Sequence, residues 1–176
     1  MQHAWIFPGQ GSQSVGMGKA LAEREPFARA VFEEADAVLG FALSRVIFEG
    51  PAEELAATRN QQPALLATSI AYLRVLEERG ALPEPAVVAG HSLGEYTALV
   101  AVGSLDLEDG IRIVRRRGEL MERYGLGGML AVIGLDRATL EAIATETGVE
   151  LANENAPNQL TLSGRDEALD RAADLA

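Results

Sequence analysis

The chain has 176 residues, 48% of them hydrophobic, with 26 acidic residues against 15 basic ones and no cysteine. That length and composition suit one ordinary folded domain or part of a larger one. The missing cysteine excludes disulfides, thiolate metal sites and a cysteine nucleophile, which fits a cytoplasmic protein, and the net charge of −11 argues against general binding to nucleic acid or an anionic membrane.

No apolar run reaches membrane-spanning length, and the start, Met1-Gln2-His3-Ala4-Trp5, lacks the charged and apolar regions of a signal peptide. Ala4-Trp5-Ile6-Phe7 reads as a short buried strand. The loop after it, Pro8-Gly9-Gln10-Gly11-Ser12-Gln13, is dense in glycine and amides. It is not a phosphate loop, because Met17 stands where the lysine belongs, and not a dinucleotide fingerprint, because Ser14 takes the place of the third glycine. It is either a plain strand-to-helix turn or a loop whose backbone and Gln10 amide lie near a site at the sheet's carboxyl edge.

An amphipathic helix is expected over 26–39, with Pro26 in its first turn and Gly40 at its end. Pro51 opens a short helix around Leu55. A largely buried helix is expected from about 63 to 79, carrying Leu65, Leu66, Ile70, Leu73, Val75 and Leu76. At its start, Gln61-Gln62 reads most simply as a cap, with a substrate contact as the other option.

Ala86-Val87-Val88-Ala89 then meets Gly90-His91-Ser92-Leu93-Gly94, and a helical pattern follows at Tyr96, Leu99 and Val100. Strand, Gly-X-Ser-X-Gly, helix is the context of a nucleophile elbow, a turn tight enough to need glycine on both sides of the serine. It would stand the Ser92 hydroxyl at a strand's carboxyl end, beside the unpaired N–H groups that open a helix.

A helix over about 107–123 carries an arginine run. Positions 112, 115, 116, 119 and 123 share a face that reads as solvated, with Glu119 pairing its neighbours. Positions 110, 113, 114, 117 and 121 share an apolar stripe. Arg117 on that stripe either snorkels to the edge or lies buried awaiting an anion.

After the glycine-rich boundary at 125–128, the pattern changes to strand (129–133), helix (137–147), strands at 149–152 and 159–162 around a turn at 155–158, and a helix from 166. This is β-α-β-β-α, a ferredoxin-like unit lacking its last strand.

Together, Phe7-Pro8-Gly9-Gln10-Gly11-Ser12-Gln13, Gln62-Pro63-Ala64-Leu65, Gly90-His91-Ser92-Leu93-Gly94-Glu95-Tyr96 and Arg117-Gly118-Glu119-Leu120-Met121 resemble malonyl-CoA:acyl carrier protein transacylase in order and spacing. The resemblance implies an α/β fold: an α/β-hydrolase-like, parallel-sheet large subdomain, incomplete at 1–124, with the start of a ferredoxin-like small subdomain at 127–176. It implies Ser92 as nucleophile and the backbone N–H groups of Gln10 and Leu93 as oxyanion hole. Arg117 would hold a malonyl carboxylate, with Gln62, His91 and Asn155 (in Asn153-X-Asn155) at the substrate. The reaction would move malonyl from coenzyme A to acyl carrier protein in fatty acid biosynthesis. No cofactor is expected beyond the coenzyme A thioester as substrate. The expected partners are malonyl-CoA and acyl carrier protein, with no nucleic acid or membrane, on a cytoplasmic monomer.

The family's general base is a histidine that follows the small subdomain. This chain has only His3 and His91, and neither is expected to replace it. The chain is therefore read as the amino-terminal part of such an enzyme, with little turnover of its own. The start at Met1, directly before the first strand, favours a stand-alone enzyme over part of a polyketide synthase. A serine esterase or thioesterase, which would leave Arg117 and the Gln10 loop unexplained, and a non-catalytic binding piece are the alternatives.

Overall fold

The computed structural model describes residues 2–176, so the expectation attached to Met1 lies outside the described residues. The chain divides into two compact units, Met1–Arg123 and Tyr124–Ala176.

In the first unit the order is β1 (Ala4–Phe7), α1 (Lys19–Arg24), α2 (Pro26–Leu39), α3 (Leu43–Glu49), α4 (Ala52–Ala56), α5 (Thr58–Glu78), β2 (Val87–Gly90), α6 (Leu93–Ala101) and α7 (Leu107–Tyr124). Strands β1 and β2 pair in parallel, from Ala4 opposite Val87 to Phe7 opposite Gly90. Because they run the same way and end level, the Gln10 loop and the Ser92 turn leave side by side at one sheet edge. Phe7, Phe32, Leu43, Ile47, Leu66, Ile70, Leu93 and Ile111 form one continuous core with α5 through its middle. The sheet's other face is open: Ile6 is 78% exposed and Val87 58%.

Gly40 ends α2 in the left-handed conformation, as its position predicts. Two readings are corrected. Helices α1 and α3 are absent from the sequence-based assignment, their six and seven residues making fewer than two full turns. Helix α5 begins at Thr58, not near 63, and Pro63 lies inside it. A proline there deprives the Arg59 carbonyl of its helical donor, and Arg115 Nη1 donates to that carbonyl at 3.3 Å instead. A tertiary contact thus carries the helix through a residue that normally opens one.

The second unit comprises β3 (Gly128–Ile133), α8 (Arg137–Thr147), β4 (Glu150–Ala156), β5 (Gln159–Gly164) and α9 (Asp166–Leu175). Its antiparallel sheet has the order β3-β5-β4. Val132, Leu140, Ile143, Leu160, Leu162, Leu169 and Ala172 make a separate core. Asp136 caps α8 by accepting from the Thr139 N–H at 2.8 Å; that bond holds its carboxyl below the usual aspartate range. The turn expected at 155–158 is shorter, because Asn155 and Ala156 continue β4 across a register shift between Glu154 and Ala156. The unit is the ferredoxin-like β-α-β-β-α arrangement without a final strand. Among the described residues no helix is long and apolar enough to cross a membrane.

Candidate active site

Ser92 sits at φ 54°, ψ −106°, the only non-glycine with positive φ among the described residues. Such strain persists only where the surroundings enforce it, and here backbone packing does so. A Cβ on Gly90 would stand 1.9 Å from the Gly94 carbonyl carbon, and one on Gly94 would stand 2.4 Å from the Phe7 oxygen. Each side chain is forbidden by main chain, which cannot move aside. The elbow is therefore clamped between its own helix and the end of β1.

Ser92 precedes α6 but makes no capping bond with its side chain. The Gly94 and Glu95 N–H groups turn back to the His91 and Ser92 carbonyls at 2.9 and 3.2 Å. Among the described residues the backbone N–H groups of Leu93 and Gln10 donate to no carbonyl or side chain, so both are available to an incoming oxygen. His91 lies against that loop: a Cβ on Gly9 would meet His91 Nδ1 at 2.6 Å. Within the loop, the Gly11 N–H donates to Gln13 Oε1 at 3.0 Å, and Ser12 Oγ to the Gly9 carbonyl at 3.0 Å.

Arg117 Nη2 donates to Ser92 Oγ at 2.9 Å and Nη1 to Gln62 Oε1 at 2.7 Å. Its guanidinium carbon lies 5.9 Å from the centre of the Tyr96 ring, within cation–π range. Gln62 is fully buried, and its Nε2 contacts Met121 Sδ at 3.3 Å. Among the described residues the partners of Arg117 are all uncharged. By contrast Arg112 pairs with Glu108 and Asp109, and Arg115 and Arg116 both pair with Glu119. The hydrogen bond from Arg115 holds the Glu119 carboxyl below its ordinary range, with Arg116 adding to it against some desolvation. Burial pushes Glu122 upward, but hydrogen bonds from the Arg59 backbone and guanidinium outweigh it. The neighbouring carboxylates are thus engaged elsewhere, and the half-buried cation at Arg117 is left to face a hydroxyl.

The inward turn of Arg117 is as expected, but the stripe is not. Helix α7 buries Gly110, Ile111, Val114 and Gly118, whereas Ile113 and Met121 are 41% and 42% exposed. Gly118 is the closest approach: a Cβ there would stand 2.6 Å from both Arg59 Cα and the Thr58 oxygen. That contact draws α7 onto the start of α5, and Arg117 rides on its shoulder. Arg115, expected on a solvated face, is half-buried. It donates to Asn60 Oδ1 at 2.5 Å and lies 5.2 Å from the Phe41 ring centre.

Nor is Gln61-Gln62 a cap. Ala57 precedes α5 with no side-chain capping bond. Asn60, Gln61 and Gln62 are all buried, and their amides reach three ways: to Arg115, to Gln10 at 2.6 Å, and to Arg117. Tyr96 and Met121 also escaped the sequence reading, although each lies one helical turn, i to i+4, beyond Ser92 or Arg117 on a helix. His3 is remote, since its carbonyl accepts from Ala86 at the amino end of the strand pair. Asn155 lies in the second unit on β4, with Nδ2 3.5 Å from Thr161 Oγ1. The structure therefore gathers Ser92, Leu93, His91, Gln10, Gln62 and Arg117 in the first unit. A guanidinium cannot accept the serine proton, so Arg117 is not a base for Ser92.

The chain matches the acyl transferase domain family over residues 4–175. It is 49% identical over 181 residues to a malonyl CoA-acyl carrier protein transacylase of Bacillus subtilis strain 168, covering 98% of this chain and 56% of that protein. Among solved structures, an acyl-carrier-protein-S-malonyltransferase from Bartonella henselae superposes with a TM-score of 0.96 at 46% identity, covering 100% of this chain and 59% of that one. A malonyl-transacylase in complex with its type II PKS acyl-carrier protein superposes with a TM-score of 0.94 at 43% identity, covering 99% and 59%. The chain thus spans a little over half the length of the proteins it matches. A family match over nearly all of its residues agrees with the strained serine and its guanidinium neighbour: the chain belongs to the acyl transferase domain family.

Proposed function

We propose that the chain is the nucleophile-bearing part of a malonyl-CoA:acyl carrier protein transacylase of fatty acid biosynthesis. The observation that carries this reading is the uncompensated guanidinium of Arg117 at 2.9 Å from Ser92 Oγ. A cation without a carboxylate beside a nucleophile is suited to an acyl group that ends in a carboxylate, and the guanidinium fork matches that group's two oxygens. An esterase for neutral acyl groups would have no use for it.

In the first half-reaction a base takes the Ser92 proton and Oγ attacks the thioester carbonyl. The N–H groups of Leu93 and Gln10 hold the oxyanion. The carbon–sulfur bond then breaks, and coenzyme A leaves with the proton. In the second, the phosphopantetheine thiol of acyl carrier protein attacks the malonyl-serine ester, and Oγ recovers its proton. The resemblance assigns the base to a histidine after the small subdomain, and the 176 residues contain none there. Gln62 fixes Arg117, His91 packs the oxyanion loop, and Asn155 is proposed as a substrate contact on the resemblance alone. The carrier-protein partner is supported by the neighbouring malonyl-transacylase described in complex with one. A cytoplasmic monomer that needs no cofactor completes the proposal.

The test is intact-mass analysis of the chain incubated with malonyl-CoA, followed by peptide mapping. One malonyl group on Ser92, lost in Ser92→Ala, and passed to acyl carrier protein in preference to water, is the expected result. Release of free malonate with no malonylated carrier protein would show an esterase instead.

A further inference from the structure

We infer that Gln61 is a positioning residue that sets the oxyanion loop from the side, through the amide of Gln10. This rests on the reading of the Gln10 N–H as an oxyanion donor.

Gln10 belongs to two parts of the molecule at once. Its backbone N–H has no acceptor among the described residues. Its side-chain Nε2 donates to Gln61 Oε1 at 2.6 Å. Gln10 itself is exposed, so nothing packed around its side chain would hold it. Gln61 is 7% exposed and stands in the first turns of α5, the central helix of the core. The bond therefore joins a glycine-flanked surface loop to the central, buried helix of the unit. The loop's other bonds, from the Gly11 N–H to Gln13 and from Ser12 to the Gly9 carbonyl, are internal to it.

The neighbours of Gln61 show how its carbonyl is aimed. Asn60 is fixed by the Glu54 carbonyl and Arg115, and Gln62 by Arg117 and Met121. With both flanking side chains held, α5 cannot rotate to let Gln61 follow the loop. The same helical turn thus aims the carboxylate clamp through Gln62 and the oxyanion donor through Gln61. A donor acts fully only when it is placed before the charge develops, and a shift of about 1 Å can cost as much as 100-fold in rate. Gln61 touches neither substrate nor reacting atoms, so its effect should fall on the chemical step and not on binding.

The experiment compares the parent chain with Gln61→Met, which keeps the volume but removes the carbonyl, and Gln61→Glu, which keeps an accepting oxygen. Unchanged circular dichroism shows that each variant folds. Backbone 15N relaxation reads the loop directly. Gln61→Met should lower the Gln10 order parameter from about 0.85 to below about 0.6, while Gln61→Glu stays near the parent. Single-turnover acylation by malonyl-CoA, in imidazole buffer to supply a base, reads the chemistry. Gln61→Met should slow the saturated rate about tenfold with less than a twofold change in the half-saturating concentration. If both Gln10 mobility and the saturated rate match the parent in Gln61→Met, the inference is wrong. If the parent is never malonylated yet Gln10 loosens in Gln61→Met, the transacylase reading fails while Gln61 still positions the loop.

Discussion

Arg117 Nη2 and Ser92 Oγ lie 2.9 Å apart, Ser92 standing in the strained elbow before α6 and Arg117 on α7, which packs against α5. Gln62 braces the same guanidinium at 2.7 Å from the far side. Two backbone approaches, Gly94 against β1 and Gly118 against α5, bring the two chain segments together, and Gln62 holds the guanidinium end.

Gly118→Ala tests that scaffold. A methyl group 2.6 Å from the Arg59 and Thr58 backbone forces α7 outward. The expected loss is about 1–3 kcal/mol of stability, read by urea unfolding, with a larger fall in malonyl labelling of Ser92 than Gly103→Ala gives.

Gly90→Ala should do more harm. Its Cβ would overlap the Gly94 carbonyl at 1.9 Å, and neither main chain can yield. Loss of cooperative unfolding, or destabilisation by about 3 kcal/mol or more, is expected in thermal melts.

The chain alone should acylate slowly, because the hydrogen-bond partner of Ser92 is a guanidinium that cannot accept a proton. Added imidazole should raise the single-turnover rate at least about tenfold, within the usual range for a general base. Labelling without imidazole as fast as that of the Bacillus subtilis relative, assayed alongside, would contradict this.

Acid should weaken the first unit through Glu119 and Glu122, whose native carboxyls lie below the ordinary range. Groups lowered on folding contribute stability above the unfolded value of about 4.3, and that contribution is lost as pH falls through the native value. Glu122→Gln should therefore flatten the dependence of Tm on pH below about 4.3 and leave Tm at pH 2 nearly that of the parent.

Much of this site could be read in the residues. Gly90 and Gly94 marked the elbow because no other residue tolerates such backbone contact, whereas phase left Arg117 open between a snorkelling and a buried cation. What escaped was decided by tertiary contacts. Pro63 reads locally as a helix start, whereas α5 begins at Thr58, with Arg115 donating to the carbonyl that Pro63 leaves without its helical partner. The amides of Asn60, Gln61 and Gln62 could face any direction until their partners on α7 and the Gln10 loop were known. Arg115 looked solvated because its partners, Asn60 and Phe41, lie far away in sequence.

The most direct measurement is acyl selectivity in Arg117→Ala. Single-turnover acylation of Ser92 is followed with malonyl-CoA and with acetyl-CoA, in the parent and in the variant. The account predicts that malonyl transfer falls about 100-fold, as expected when one partner of a desolvated charge pair is removed, while acetyl transfer changes less than about threefold. Equal losses for the two acyl groups would mean that the guanidinium does not read the carboxylate, and the assignment of this site to malonyl chemistry would be lost.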